Sequence, residues 1–230
     1  MARLLLFDID GTLTWGGPAK VAFQLGMERT YGTAGPIDDH DFSGKTDPQI
    51  VRELLNRAGM DDGEIDAGFA TFCEAYLAEM ERRVPDHPVE VLGGVLDLIP
   101  LLADDAGFRL GLVTGNLQRG AHLKLGSAEL SHYFPIGGFG SDHEVRNELP
   151  SVAVERAQSH WGRSFPSEDV VIIGDTPRDV ACGRAIGAVT IAVATGRFSF
   201  DELEQTGADL VLNDLADTDS VLDHLGNVSI

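Results

Sequence analysis

A short apolar run that leads into two carboxylates constrains this chain more than any other stretch. Residues 4–13 read LLLFDIDGTL, so four apolar residues come directly before Asp8 and Asp10. The run is too short for a helix and stops at Gly11, which predicts a buried strand over 4–7. A strand without a polar face is typical of a parallel sheet that is covered on both sides.

Asp8 and Asp10 are two residues apart, so on extended backbone their side chains point the same way. Two carboxylates in that position repel each other unless a cation or a shared proton lies between them. Gly11 then allows a sharp turn that brings the hydroxyl of Thr12 back. A calcium loop shares part of this pattern. It would need a third oxygen ligand at Thr12, then a Gly and a distant Glu, so it is the less favoured interpretation.

The rest of the chain divides into a helical segment and an alternating one. Apolar spacing predicts helices over 19–31, 48–58 and 65–80, with Asp47 as an N-cap before Pro48 and no strand between them. From residue 92 onward helices alternate with strands, which are predicted at 109–113, 136–139, 170–173, 189–193 and 210–212.

This order of elements predicts a doubly wound α/β fold with a parallel, Rossmann-like sheet. We expect residues 1–14 and 90–230 to form the core. Residues 15–89 are expected to form a helical cap inserted into it. Ligands of such sheets bind at the C-terminal ends of the strands. Besides the two aspartates, those ends carry Thr114-Gly115-Asn116 and Gly174-Asp175-Thr176. Thr114 and the amides after it can bind an anion at a helix start, or they cap the helix and do nothing more.

Taken in order, these motifs resemble those of the haloacid dehalogenase superfamily, most of whose members are magnesium-dependent phosphatases. Residues 8–12 match its first motif, DxDGT, and the strand that ends at Thr114 resembles the second. Residues 174–179 match the fourth motif, GDxxxD. The helical cap resembles that of the phosphoglycolate phosphatase and β-phosphoglucomutase subgroup.

The resemblance implies Asp8 as a nucleophile that becomes an aspartyl-phosphate and Asp10 as the general acid and base. It implies Mg²⁺ as the cofactor, held by Asp8, the backbone of Asp10 and Asp175. Asp179 would then orient the waters of the metal, although an acid in a first helical turn is also favoured by the helix dipole alone. Phosphate contacts are expected from Thr12, Thr114, Gly115 and Asn116.

The third motif of the superfamily is a Lys or Arg at a variable position, and two residues compete for it here. Arg146 precedes a helix, as in relatives that carry Lys-Pro there, but this chain has Arg-Asn. Lys124, on the helix after the second motif, is the alternative and would otherwise be a solvated charge. Within the cap, Lys45 is a candidate for reaching a polar or anionic leaving group. It is otherwise an exposed loop charge.

Composition limits the kinds of partner that the protein is expected to bind. The net charge of −20 disfavours nucleic acid and anionic membranes. No apolar stretch is long enough to span a membrane. The two cysteines have no metal-binding spacing and suit a reduced, cytoplasmic protein. We therefore expect a cytoplasmic phosphatase, monomeric or homodimeric, that acts on a small phosphorylated metabolite. A phosphomutase and a non-catalytic binding protein of the same fold are the alternatives.

Overall fold

The computed structural model describes residues 2–227 and contains a six-stranded parallel sheet with helices on both faces. The strands are β1 (Arg3–Phe7), β2 (Thr14–Gly16), β3 (Val89–Val91), β4 (Phe108–Thr114), β5 (Gly137–Phe139), β6 (Val170–Gly174), β7 (Val189–Val193) and β8 (Leu210–Leu212). The helices are α1 (Ala19–Tyr31), α2 (Asp47–Arg57), α3 (Asp62–Arg83), α4 (Val95–Asp104), α5 (Gln118–Ser127), α6 (Leu149–Trp161), α7 (Pro177–Ala185), α8 (Phe200–Glu204) and α9 (Thr218–Asn227).

The strand order in the large sheet is β5-β4-β1-β6-β7-β8, which confirms the predicted doubly wound α/β class. β1 lies in the middle, with Phe7 opposite Leu112 of β4 on one side and Ile173 of β6 on the other. Leu4, Leu5 and Leu6 are completely buried, as expected for a strand covered on both faces. This central position places the end of β1 between two other strand ends.

Helices α1, α2 and α3 have a hydrophobic core of their own. Phe23, Leu54 and Phe72 are buried there, and the Phe23 ring packs edge-on against Phe72 with centroids 4.9 Å apart. Their apolar spacing predicted this packing, because residues three and four apart share one face of a helix. The division of the chain into a cap and a core at residues 15 and 90 remains a prediction.

Three features of the fold differ from expectation. Strands β2 and β3 pair antiparallel, Trp15 opposite Glu90, in a segment that was predicted to contain no strand. Both are three residues long and meet across more than seventy residues of chain, so local periodicity does not reveal them. Helix α9 was also not predicted. Thr46 rather than Asp47 is the N-cap of α2, since its hydroxyl accepts the backbone N–H of Gln49 at 3.2 Å.

Within residues 2–227, none of the helices is long and apolar enough to cross a membrane.

Candidate active site

The site lies where the central strands end. Because β4, β1 and β6 are neighbours and parallel, Thr114, Asp8 and Asp175 emerge at the same edge of the sheet. The backbone N–H of Asp8 donates to Ile173 at 2.9 Å, which continues the pairing up to the first carboxylate. All three side chains are buried, with 0 to 4% of their surface exposed.

Gly11 permits the turn that follows. Its φ of +87° lies in the left-handed region. A Cβ atom there would come within 2.3 Å of Asp175 Oδ2, so only glycine fits without a shift. The next residue, Thr12, donates its hydroxyl to Asp175 Oδ1 at 3.3 Å. Thr12 therefore contacts the acidic cluster, where a phosphate contact had been expected.

Asp8, Asp175 and Asp179 form a cluster that can bind a metal ion. Their carboxylate oxygens lie within 4.8 Å of one another. Burial and the neighbouring carboxylates raise the pKa of Asp175 to about 8. Burial also raises the pKa of Asp8 to about 6, against the opposing effect of the Arg146 guanidinium. A divalent cation relieves both causes, and an all-oxygen donor set suits Mg²⁺, so the residues present fit this metal.

Arg146 bridges two of these acids. Its Nη2 atom lies 3.3 Å from Asp8 Oδ1 and is also hydrogen-bonded to Asp179 Oδ1. The guanidinium side chain is only 5% exposed. Burial would favour loss of its proton, but the two carboxylates outweigh this and keep the pKa of Arg146 well above its usual range. The cation is thus fixed beside the candidate nucleophile.

Asp179 uses both of its carboxylate oxygens within the protein. One binds Arg146, and the other accepts the backbone N–H and the hydroxyl of Thr176 at 2.9 and 2.7 Å. Thr176 in turn accepts the N–H of Asp179, so the pair forms a capping box at the start of α7. The acid is therefore more than a favourable first-turn charge, because it also orients Arg146.

A second cation lies beside the second aspartate. Lys124 donates to both carboxylate oxygens of Asp10 and to Asn116 Oδ1, each at 2.7 Å. The Asn116 amide donates to Asp10 at 2.7 Å and to Thr114 Oγ1 at 2.8 Å. The Lys124 side chain is 4% exposed, so the alternative interpretation of Lys124 as a solvated helix charge is wrong. Both competitors for the third motif reach the site, Arg146 on Asp8 and Lys124 on Asp10.

The loop before α2 joins the helical region to the strand ends, a contact that sequence reasoning missed. The backbone N–H of Asp47 donates to Gly115 at 2.8 Å, and its carboxylate accepts the N–H of Leu117 at 2.8 Å. Burial raises the pKa of Asp47 to about 6. A Cβ atom on Gly115 would lie 2.0 Å from the Lys45 carbonyl oxygen, so this approach depends on glycine. From the sequence, the Asp-Pro pair predicted that this acid caps a helix.

A cavity of about 580 Å³ opens between these groups and helices α1 to α3. Asp8, Asp10, Thr114 and Asp175 line its floor. Lys45, the candidate contact for a leaving group, also lines it, but the Lys45 ammonium is hydrogen-bonded to Glu53. The volume falls within the range of roughly 300–1,000 Å³ of small-molecule sites.

Comparison with known proteins shows the family. The family model of haloacid dehalogenase-like hydrolases matches residues 5–184. That span includes every acid of the cluster and both buried cations. The chain belongs to this family.

Individual relatives narrow the class further. A phosphoglycolate phosphatase of Pseudomonas fluorescens is 26% identical over 94% of this chain and 78% of its own. The N-acetylmuramic acid 6-phosphate phosphatase of Pseudomonas aeruginosa is 30% identical over 96% of this chain and 95% of its own. The crystal structure of a hydrolase from Pseudomonas syringae superposes with a TM-score of 0.72 over the whole of both chains at 21% identity. The chain is thus a haloacid dehalogenase-like hydrolase that is similar over most of its length to these phosphatases.

Proposed function

We propose that the protein hydrolyses a small phosphorylated metabolite with the help of Mg²⁺, through a phosphoryl group carried transiently on Asp8. One observation carries the proposal. Asp8 is buried beside the guanidinium of Arg146, and a carboxylate oxygen of Asp8 lies within 4.8 Å of one of Asp175. Asp8 and Asp10 both line the cavity. A nucleophile, an acid and a cation thus converge on one space of substrate size.

Asp8, Asp175 and the backbone carbonyl of Asp10 would hold Mg²⁺, with Asp179 supporting them through Arg146. When bound, Mg²⁺ supplies Lewis acidity that lets two anions approach each other and stabilises the charge of the transferring phosphoryl group. Arg146 adds a permanent positive charge beside Asp8. Thr114 and the turn after it would donate to phosphoryl oxygens.

In the first step, a carboxylate oxygen of Asp8 bonds to phosphorus as the ester P–O bond breaks. Asp10 gives its proton to the departing alcohol oxygen. In the second step, Asp10 takes a proton from water while the water oxygen bonds to phosphorus. The bond between Asp8 and phosphorus then breaks, which releases inorganic phosphate and restores both carboxyl groups.

The test is phosphate release from a panel of phosphomonoesters, with and without Mg²⁺, by wild-type protein and by Asp8→Asn. We expect release that requires Mg²⁺ and is lost in Asp8→Asn. The matched control is Asp142→Asn, which alters an acid that follows β5 and is paired with Arg156 instead. This control should retain activity. Turnover that survives in Asp8→Asn would refute the covalent mechanism.

The same panel separates the alternatives. A phosphomutase would return the phosphoryl group to the substrate and yield an isomeric phosphoester in place of inorganic phosphate. A binding protein would retain a phosphoester without converting it. The cytoplasmic location, the monomeric or homodimeric state and the lack of nucleic-acid and membrane partners stay predictions from the sequence.

A further inference from the structure

The upper wall of the cavity is apolar, in contrast to its floor. Helices α1, α2 and α3 contribute Phe23, Ile50 and Tyr76, which are each at most 4% exposed. Phe42, from the loop before α2, packs edge-on against Phe23 with centroids 6.2 Å apart. Trp15 stands at the rim with 52% of its surface exposed. Four of these five lining residues are aromatic.

The basic residues around the cavity do not provide a free positive charge beside this apolar wall. Among the described residues that line it, each Lys and Arg already has a carboxylate partner within the chain. Arg146 is bound to Asp8 and Asp179, and Lys124 to Asp10. Both of these pairs are at the floor, where the phosphoryl group is expected.

The three outer cations are paired as well. Lys45 is bonded to Glu53, Lys20 lies 3.2 Å from Asp38, and Arg197 lies 2.9 Å from Asp41. Lys45 matters most, because its side chain is only 10% exposed. An anionic group entering here would have to compete with the Glu53 carboxylate for the Lys45 ammonium, and Glu53 is held in place by a second donor, the Gln49 amide at 2.8 Å.

We propose that this cavity binds the alcohol part of the substrate, and that this part is an uncharged, ring-sized group with apolar faces. The inference rests on the proposed function, since it concerns the leaving group of that reaction. Burial of an apolar ring against Phe42 and Phe23 provides affinity by removing apolar surface from water and by aromatic packing. A carboxylate on the same ring meets no free cation and is disfavoured.

The first test compares three phosphomonoesters of primary or methyl alcohols, with Mg²⁺ present: benzyl phosphate, 4-carboxybenzyl phosphate and methyl phosphate. We expect kcat/KM for benzyl phosphate to exceed both others at least tenfold. Equal or higher kcat/KM for 4-carboxybenzyl phosphate would overturn the inference. The activated ester p-nitrophenyl phosphate reports on the proposed function separately. Its hydrolysis without a preference for benzyl phosphate refutes the inference alone, whereas no release from any ester refutes both.

Glu53→Gln provides a test by gain of function, because it frees the Lys45 ammonium without changing the size of its partner. The ratio of kcat/KM for 4-carboxybenzyl phosphate to that for benzyl phosphate should rise at least threefold. Glu74→Gln removes an equal charge from an exposed site on α3 and should leave the ratio unchanged. An unchanged ratio in Glu53→Gln would contradict the assignment.

Phe42→Ala tests the apolar wall itself. It should lower kcat/KM for benzyl phosphate at least fivefold, mainly through KM, and narrow its lead over methyl phosphate. Phe69→Ala is the control, since Phe69 packs against the same hydrophobic core but does not line the cavity. Equal losses for the two esters in Phe42→Ala would indicate a merely structural role and overturn the proposal.

Discussion

The ammonium group of Lys124 lies 2.7 Å from each carboxylate oxygen of Asp10. Asn116 contacts both residues, because its amide N–H donates to Asp10 Oδ2 and its amide oxygen accepts from Lys124. The proposed general acid is therefore held on two sides by donors that come from the end of β4 and from α5. These donors determine where its proton can be delivered. We propose that Lys124 acts on the reaction through Asp10, as a positioning residue.

Lys124→Met should therefore lower kcat for an alkyl phosphate by about 10²-fold, the lower range for loss of a positioned acid. For p-nitrophenyl phosphate, whose leaving group needs no proton, the loss should be much smaller. Steady-state kinetics with both esters measures the difference, and Lys124→Arg should restore part of it. Equal losses with the two esters would mean that Lys124 does not act through Asp10.

Arg146 is expected to hold the acidic cluster together when no metal is bound. Arg146→Met leaves Asp8 and Asp179 without their buried cation, which should lower the free energy of unfolding by about 3–5 kcal/mol. Arg82→Met is the matched surface change. Because the Arg82 side chain is 62% exposed and pairs with Glu79 on the same helix, its loss should be below about 1 kcal/mol. Urea denaturation in the presence of a chelator compares the two variants.

Asp47 should make stability depend on pH. Burial raises its pKa from the ordinary aspartate value of 3.8 to about 6, so the folded state holds the proton more tightly than the unfolded chain does. Below pH 4 the neutral carboxyl does not lower the free energy of unfolding. Above pH 6 the carboxyl is ionised in the folded protein too, and its full destabilising effect is present. Relative to Asp47→Asn, the wild type should lose up to about 3 kcal/mol between pH 4 and pH 7. If the free energy of unfolding changed with pH equally in the two proteins across that range, the prediction would be wrong.

Binding of Mg²⁺ should weaken as pH falls. A carboxylate must lose its proton to bind metal, and the pKa of Asp175 is about 8 in the metal-free site. Each pH unit below 8 should therefore weaken the apparent affinity by up to about tenfold. Isothermal titration at pH 6.5, 7.5 and 8.5 measures this, and proton release is seen as a dependence of the heat on the buffer. Asp175→Asn should bind weakly and without this pH dependence.

Gly115 should be intolerant of even one methyl group. A Cβ atom added at this position would lie 2.0 Å from the backbone oxygen of Lys45, so Gly115→Ala must shift the loop that carries Asp47. We expect a loss of at least about 2 kcal/mol of stability together with a higher KM. Gly126→Ala is the control, since nothing lies within 4 Å of that Cβ position in α5. It should stabilise the protein by about 0.5–1 kcal/mol.

Local sequence predicted the regular elements well because they depend on neighbours in the chain. The apolar run before Asp8 predicted β1, and the spacing of Phe69, Phe72 and Tyr76 predicted α3. The ligand positions at strand ends follow from the same reasoning, since parallel strands end at one edge of the sheet. Neither β2 nor β3 could be found this way, because each acquires its pairing only from the other.

By itself, the sequence determined the class of the fold, the acids at the strand ends and the family they resemble. Those properties rest on periodicity and on short motifs, which are local. Only the tertiary structure decided that Lys124 binds Asp10 while Arg146 binds Asp8, and that Glu53 neutralises Lys45. These pairs join residues from 8 to 138 positions apart in the chain. Which oppositely charged side chains form a pair depends on burial and on the packing of different elements, and the spacing of residues along the chain does not encode this.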